Sequence, residues 1–400
     1  MFKKLITFTK DGAIRQTFGY YFLFICLGLD MAIVGPTLPA LAKQTGSSLG
    51  RMGLLFLAGS AGYTLGTMIG GRIFDRVRGH PIMGIAQLFV AALIVLVPFT
   101  PWFWLLLAIL VCKGLAEGLI NTGANTLLVW THVEKVGPFM NGLHFFFGLG
   151  AFLSPLLVAQ VVEIAGGYRW AFWALAAFAA LVGLHMLTLS GSPQPAYADK
   201  GKTVPGAQGP ISYPLVIAAM LFLFFYVGAE ITFGGWVYTY AVTLNLASAV
   251  GAAYLTSVFW LAFTIGRLLS IPAATRFTPK QIISAALFSC LSILTIGIIF
   301  AGFGAVLWVL AIGLGFCMAP IWPTGFTLAG QSINLTGRIS SVILLGDSLG
   351  GMILPTLVGQ VIEGSSPRAM VYLVFGSLVL NLLAFAGMSR LRPVKPLPTT

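Results

Sequence analysis

Twelve apolar runs follow one another along the chain with only short polar breaks, near 15–41, 51–73, 82–99, 103–129, 138–163, 169–189, 212–240, 250–272, 281–301, 305–330, 337–362 and 369–389. A helix needs about 20 mostly apolar residues to cross a bilayer, and runs of this length meet that need. Composition points the same way. The 400 residues are 58% hydrophobic and 8% charged, where a soluble domain is about a quarter charged. So few charges cannot cover a water-facing surface. A soluble enzyme, a disordered chain and a secreted disulfide scaffold are therefore excluded. What remains is an all-α membrane protein of twelve transmembrane helices with no sizeable extramembrane domain. The first run could be mistaken for a signal peptide, because Ala40 and Ala42 resemble a cleavage site; it is too long for one and carries Asp30 in its middle.

The formal charge of +12 raises the question of nucleic-acid binding. Placing the charges answers it, because they sit in short loops beside apolar runs. Counted in alternate loops, 17 basic residues fall on one side, from Lys3 and Lys4 through Arg72, Arg76, Arg267 and Arg276 to Lys395. Four fall on the other, Lys43, Arg51, Arg169 and Arg368, and Lys113 is left inside a span. Basic residues are retained in cytoplasmic loops, so the rich side, with both termini, is expected in the cytoplasm of a plasma membrane or bacterial inner membrane. Cys26, Cys112, Cys290 and Cys317 lie in apolar runs without paired spacing, and indicate neither a disulfide nor a metal framework. The chain shows no nucleotide-binding loop, metal cluster or nucleophile triad. It is expected to be no enzyme, to need no cofactor and to act as a monomer.

The longest polar stretch, 190–211, is rich in Pro, Gly, Ser and Lys and divides the chain into halves of six runs, 1–189 and 212–400. The halves repeat at an offset of 200. Leu149 through Glu163 lines up with Leu349 through Glu363 with eight of fifteen positions identical, including Pro155/Pro355, Gln160/Gln360 and Glu163/Glu363. At the same offset Gly28 matches Gly228, Asp30 matches Glu230 and Gly35 matches Gly235. Run one thus echoes run seven, and run five echoes run eleven. A parallel six-plus-six repeat is the layout of major facilitator transporters, with the site at mid-membrane between the repeats.

The loop after run two, Gly71-Arg72-Ile73-Phe74-Asp75-Arg76-Val77-Arg78-Gly79-His80, resembles the major facilitator signature G-x-x-x-D-R-x-G-R, with the Gly one place late. Asp75 is expected to latch onto the helix N-terminus near Gly337-Arg338, where a carboxylate is stabilised. Gly71, Asp75 and Arg76, with their echo Gly266 and Arg267, are the expected gating residues. Gly62, Gly66 and Gly70 form a ridge of small residues that permits close helix packing.

A narrower resemblance covers most of the chain. Tyr226-Val227-Gly228-Ala229-Glu230 with Gly235-Trp236 is similar to helix seven of the fucose–galactose–glucose–gluconate symporter family. So are Phe259-Trp260 with Gly266-Arg267, Pro323-Thr324 with Phe326, and Asn121-Thr122-Gly123-Ala124-Asn125. The run from Phe259 to Pro272 looks like the branch related to sodium-dependent glucose transporters. This resemblance implies inward hexose symport driven by protons or sodium, with Asp30 at the position of the family's coupling acid and able to hold sodium in that branch. The family's sugar-contacting acid in the fourth helix is replaced here by Asn121; Glu117 lies one turn earlier.

Four of the ten acids lie within spans: Asp30, Glu117, Glu230 and Asp347. Unpaired charge at mid-bilayer costs at least about 2.5–3.5 kcal/mol, so these acids are expected to face a wet interior. Asp30, Glu117 and Glu230 are the expected ion-coupling residues. A neutral acid locked by hydrogen bonds is the plain alternative. Lys113, Glu117, Asn121 and Asn125, spaced by four, share one helix face. Lys113 and Glu117 either neutralise each other or leave Glu117 free to meet sugar with the amides, whose donors and acceptors suit hydroxyls. Asn121, Asn125 and His144 are the polar substrate-binding candidates. Trp236, Tyr240 and Trp322 are the aromatic platforms expected for the C–H face of a monosaccharide, against the alternative of packing. A proton-driven exporter of drugs or other amphipathic compounds fits the same fold, but its cavity should be largely apolar. A non-transporting sensor would need an output domain that the chain lacks.

Overall fold

A computed structural model describes residues 12–74, 76–132, 136–191, 193, 212–332 and 337–390. These residues are almost entirely helical. The helices are α1 (Gly12–Thr45), α2 (Leu49–Phe74), α3 (Gly79–Leu96), α4 (Phe103–Thr131), α5 (Val136–Ala165), α6 (Arg169–Leu187), α7 (Tyr213–Thr243), α8 (Ala249–Arg276) and α9 (Pro279–Ile299). The tenth span is built from α10a (Gly304–Met318) and α10b (Ile321–Ser332), followed by α11 (Gly337–Gly364) and α12 (Ala369–Arg390). Among the described residues, twelve spans are long and apolar enough to cross a membrane. Helices form because hydrocarbon offers no partner for backbone N–H and C=O groups, and a helix satisfies them within itself. The ordered helices run past the apolar windows at several ends: the first covers Gly12–Thr45 rather than 15–41.

Local sequence explains the ends. Thr278 and Gln281 form a reciprocal capping box at the start of α9, with Pro279 at the first helical position. The Ser248 hydroxyl accepts the Gly251 N–H at 3.1 Å and opens α8. The tenth span breaks at Ala319 and Pro320. Pro320 has no N–H to continue α10a, while Pro323 falls in the first turn of α10b, where an N–H has no helical partner in any case.

By contacts the chain divides into two units, Met1–Ser48 with Ala58–Tyr197 and Leu49–Leu57 with Ala198–Thr400. In the first, α1 packs mainly on α5 and α3 on α6; in the second, α7 packs on α11 and α12, and α8 on α10a. Small residues set the spacing. A Cβ at Gly150 would overlap the Ile25 carbonyl between α5 and α1, and one at Gly350 would overlap the Phe224 carbonyl between α11 and α7. The same device recurs between α2 and α4 at Gly62, Gly66, Gly114 and Gly118, and between α8 and α10a at Gly266 and Gly315. The helix pairs of one unit thus reappear in the other.

The opening residues of α2 group with the second unit. There Thr356 donates to the Gly53 carbonyl at 3.0 Å, Gln360 donates to that of Gly50 at 3.1 Å, and Phe56 lies against Trp236. Cys290 and Cys317 are free thiols within hydrogen-bonding reach across α9 and α10a, although 27 residues separate them in sequence. Trp102, Trp104 and Trp170 at span ends are exposed on the protein surface, as the aromatic residues of a bilayer interface are.

Candidate functional site: an ionic cluster in each unit

In the first unit the charge gathers around one lysine. Lys113 on α4 is 6% exposed and Asp30 on α1 is 3% exposed. The Lys113 ammonium donates to Asp30 Oδ2 and, one helical turn along α4, to Glu117 Oε2 at 3.2 Å and Oε1 at 3.3 Å. The second contact follows from the i, i+4 spacing. The first depends on the packing of α1 on α4. Burying an ion this deeply is tolerable only with close opposite charge, and here one ammonium serves two carboxylates.

The polar face of α4 continues beyond Glu117. Asn121 and Asn125 are half-buried, and the Asn125 amide donates to the Asn121 backbone carbonyl at 2.9 Å and to its side-chain oxygen at 3.2 Å. Both retain capacity for a ligand, since an amide has two donors and an acceptor oxygen with two lone pairs. His144 on α5 is exposed, with its ring edge-on to Phe24 at 5.8 Å between centroids.

The second unit holds a counterpart. Glu230 on α7 lies within electrostatic reach of Arg267 on α8 and Asp347 on α11, and within hydrogen-bonding reach of Tyr226. Tyr226 donates its hydroxyl to the Met318 carbonyl at 2.9 Å, where α10a ends. Trp322 on α10b donates its indole N–H to Asp347 Oδ1 at 2.8 Å and stacks on Phe326, with ring planes 6° apart. The Arg267 guanidinium carbon sits 4.7 Å over the Phe263 ring, a cation–π contact.

The remaining sequence candidates fall elsewhere. Trp236 is fully buried and donates its indole N–H to the Pro355 carbonyl at 2.9 Å, and Tyr240 is 1% exposed. Both are packed into the interior of their unit. Gly71 and Arg76 are exposed at the end of α2 and just beyond it, and Asp75 lies outside the described residues. Gly266 packs against the Phe316 carbonyl of α10a.

Two relationships escaped sequence reading. Arg267 lies inside α8, nine residues before that helix ends at Arg276, and within electrostatic reach of the half-buried Glu230 and Asp347 rather than in a loop. Lys113 bridges to Asp30, 83 residues away, as well as to Glu117. The signal available for both was charge parity: two basic residues inside spans had to find acids, and acids stood in neighbouring helices.

Twelve apolar spans among the described residues, with acids gathered near a base in each unit, fit a membrane transporter. The Major Facilitator Superfamily matches residues 20–355, and the chain belongs to that superfamily. Among its relatives, sodium-dependent glucose transporter 1A of Mus musculus is 29% identical over 426 residues, covering 95% of this chain and 99% of that protein. Sodium-dependent glucose transporter 1 of Rattus norvegicus is 30% identical over 410 residues, covering 91% and 83%. Crystal structures of a D-xylose–proton symporter and of a nucleoside transporter share the fold. Their TM-scores are 0.75 and 0.73, at 14% and 13% identity, covering 97% and 96% of this chain and 100% of each of theirs.

Proposed function

We propose that this chain carries a hexose inward across the plasma membrane or bacterial inner membrane by alternating access, as a monomer with both termini in the cytoplasm. An ion gradient, of protons or sodium, supplies the drive. The observation that carries the reading is the continuity on α4 of a buried ionic group, Lys113 and Glu117 with Asp30, and a pair of half-buried amides, Asn121 and Asn125. Ion coupling requires a carboxylate whose charge state can differ between the two access states. Sugar binding requires directed donors and acceptors. Both stand on one helix face, about a turn apart. The names of the relatives support glucose as the first sugar to try.

In this reading Asp30, with Glu117 and Glu230, couples the ion. Asn121, Asn125 and His144 meet sugar hydroxyls, and Trp322 supplies the aromatic platform, held in place by Asp347. Trp236 and Tyr240 act by shaping the second unit. Gly71, Asp75 and Arg76, with Gly266 and Arg267, control the cytoplasmic gate. The polar side chains along α4, Glu117, Asn121 and Asn125, favour a sugar over the amphipathic cargo of an exporter.

The test is uptake of labelled glucose, galactose and fucose into proteoliposomes under separately imposed proton and sodium gradients. Accumulation of at least one sugar above equilibrium is expected under an inward ion gradient. If none of the three enters faster than into protein-free liposomes, the hexose assignment fails.

A further inference from the structure

The Asp30–Lys113–Glu117 cluster bears on which ion can reach Asp30. An ammonium presents three N–H donors. Lys113 directs its contacts at Asp30 Oδ2, Glu117 Oε1 and Glu117 Oε2. Its charge therefore lies against both carboxyl groups, which are also within hydrogen-bonding reach of each other, the place where a monovalent metal ion held by the pair would sit. The group is largely enclosed by protein, with Asp30 3% and Lys113 6% exposed and Glu117 half-buried.

We propose that the Lys113 ammonium is a tethered cation that occupies the position a sodium ion would need on Asp30, so that sodium does not bind this cluster and a sodium gradient does not drive this chain through it. The inference rests on the reading of Asp30 as the coupling carboxylate and narrows it.

Three physical arguments support it. First, a second unit positive charge about 4 Å from the ammonium would lose roughly a thousandfold in affinity at the effective dielectric of a protein site. Second, a hard cation is held by several oxygens at once, and those of Glu117 already accept from Lys113. Third, α1 sets a thiol beside the cluster. Cys26 sits one turn before Asp30, is 3% exposed and lies within electrostatic reach of both carboxylates. Sulfur is a poor ligand for a hard ion. The relatives named as sodium-dependent are about 29% identical to this chain, which leaves room for a different ion.

The experiment compares thermal unfolding of the full-length protein in detergent in sodium chloride and in choline chloride, at equal ionic strength and pH. Wild type is expected to unfold at the same temperature in both. Lys113→Gln leaves two buried carboxylates without their cation and is expected to gain a saturable, sodium-specific rise. Lys113→Arg, which keeps the charge, is expected to show none. A saturable sodium-specific rise in wild type that Asp30→Asn removes would overturn the proposal, and this arm needs no lysine variant to fold. A folded Lys113→Gln protein that is indifferent to sodium would overturn it equally. No sugar enters the measurement. Failed sugar uptake together with the expected sodium pattern would sink the hexose assignment and leave the tethered cation standing.

Discussion

At the scale of the residue, Asp30 has the sharpest consequence. Its partner Lys113 also holds Glu117 at 3.2 Å, so Asp30→Asn removes one charge without leaving the ammonium alone in the interior. The variant is expected to fold, because the costly state is an unpaired buried ion and none is created. It is also expected to lose at least about tenfold in gradient-driven accumulation, which is about 1.4 kcal/mol of lost driving force, while sugar counterflow persists. An amide keeps the shape and the hydrogen bonding but cannot exchange a proton. Uphill uptake and counterflow measured in the same liposomes decide the matter, and full accumulation by the variant would pass the coupling role to Glu117 or Glu230. The importance of Asp30 was legible in the sequence, because an acid in the middle of a span is conspicuous. Its partner was not, because the i, i+4 rule connects Lys113 only to Glu117. The contact across to α1 exists only once two helices have packed.

At the scale of the element, glycine placement controls how closely helices approach. Lipid tails are as apolar as side chains, so helices in a membrane associate through close packing rather than hydrophobic burial. On α2 a Cβ at Gly66 would overlap the Leu115 carbonyl of α4, whereas one at Gly59 would meet nothing within 4 Å. Gly66→Ala is expected to destabilise by about 1–3 kcal/mol, the usual cost of overpacking a well-fitted contact. Gly59→Ala is expected to be neutral or slightly stabilising, since Ala favours helix over Gly by about 1 kcal/mol. Thermal unfolding in one detergent compares them directly, and equal midpoints would refute the difference in packing. The sequence displayed the ridge Gly62, Gly66, Gly70 without saying which helix it meets. It showed Pro320 and Pro323 without saying that the tenth span becomes two helices. It also offered Trp236 as an aromatic platform for sugar without showing that its N–H meets the Pro355 carbonyl inside the second unit.

At the scale of the whole molecule, the repeat governs. Asp30 and Glu230 stand 200 residues apart in sequence, and each belongs to a group of two acids and one base in its own unit. The bases come from non-equivalent helices, α4 in the first unit and α8 in the second. With Arg267 set inside α8, the remaining bases divide 16 to 4 between the two sides, which predicts that tags on both termini face the cytoplasm. Protease added to inside-out vesicles is expected to remove both tags, and protease added to right-side-out vesicles neither; removal of either tag from the outside would overturn the orientation. Span number, the 200-residue repeat and the polar face of α4 were determined by sequence alone. Each rests on a local period or a fixed offset, and those survive in a one-dimensional string. Only the tertiary structure decided that Lys113 bridges Asp30 to Glu117, that Arg267 joins Glu230 and Asp347, and that Trp322 holds Asp347. These are contacts between helices. The partner of a buried charge is set by which helix faces pack together, and that choice is made by small residues whose neighbours lie tens to hundreds of positions away.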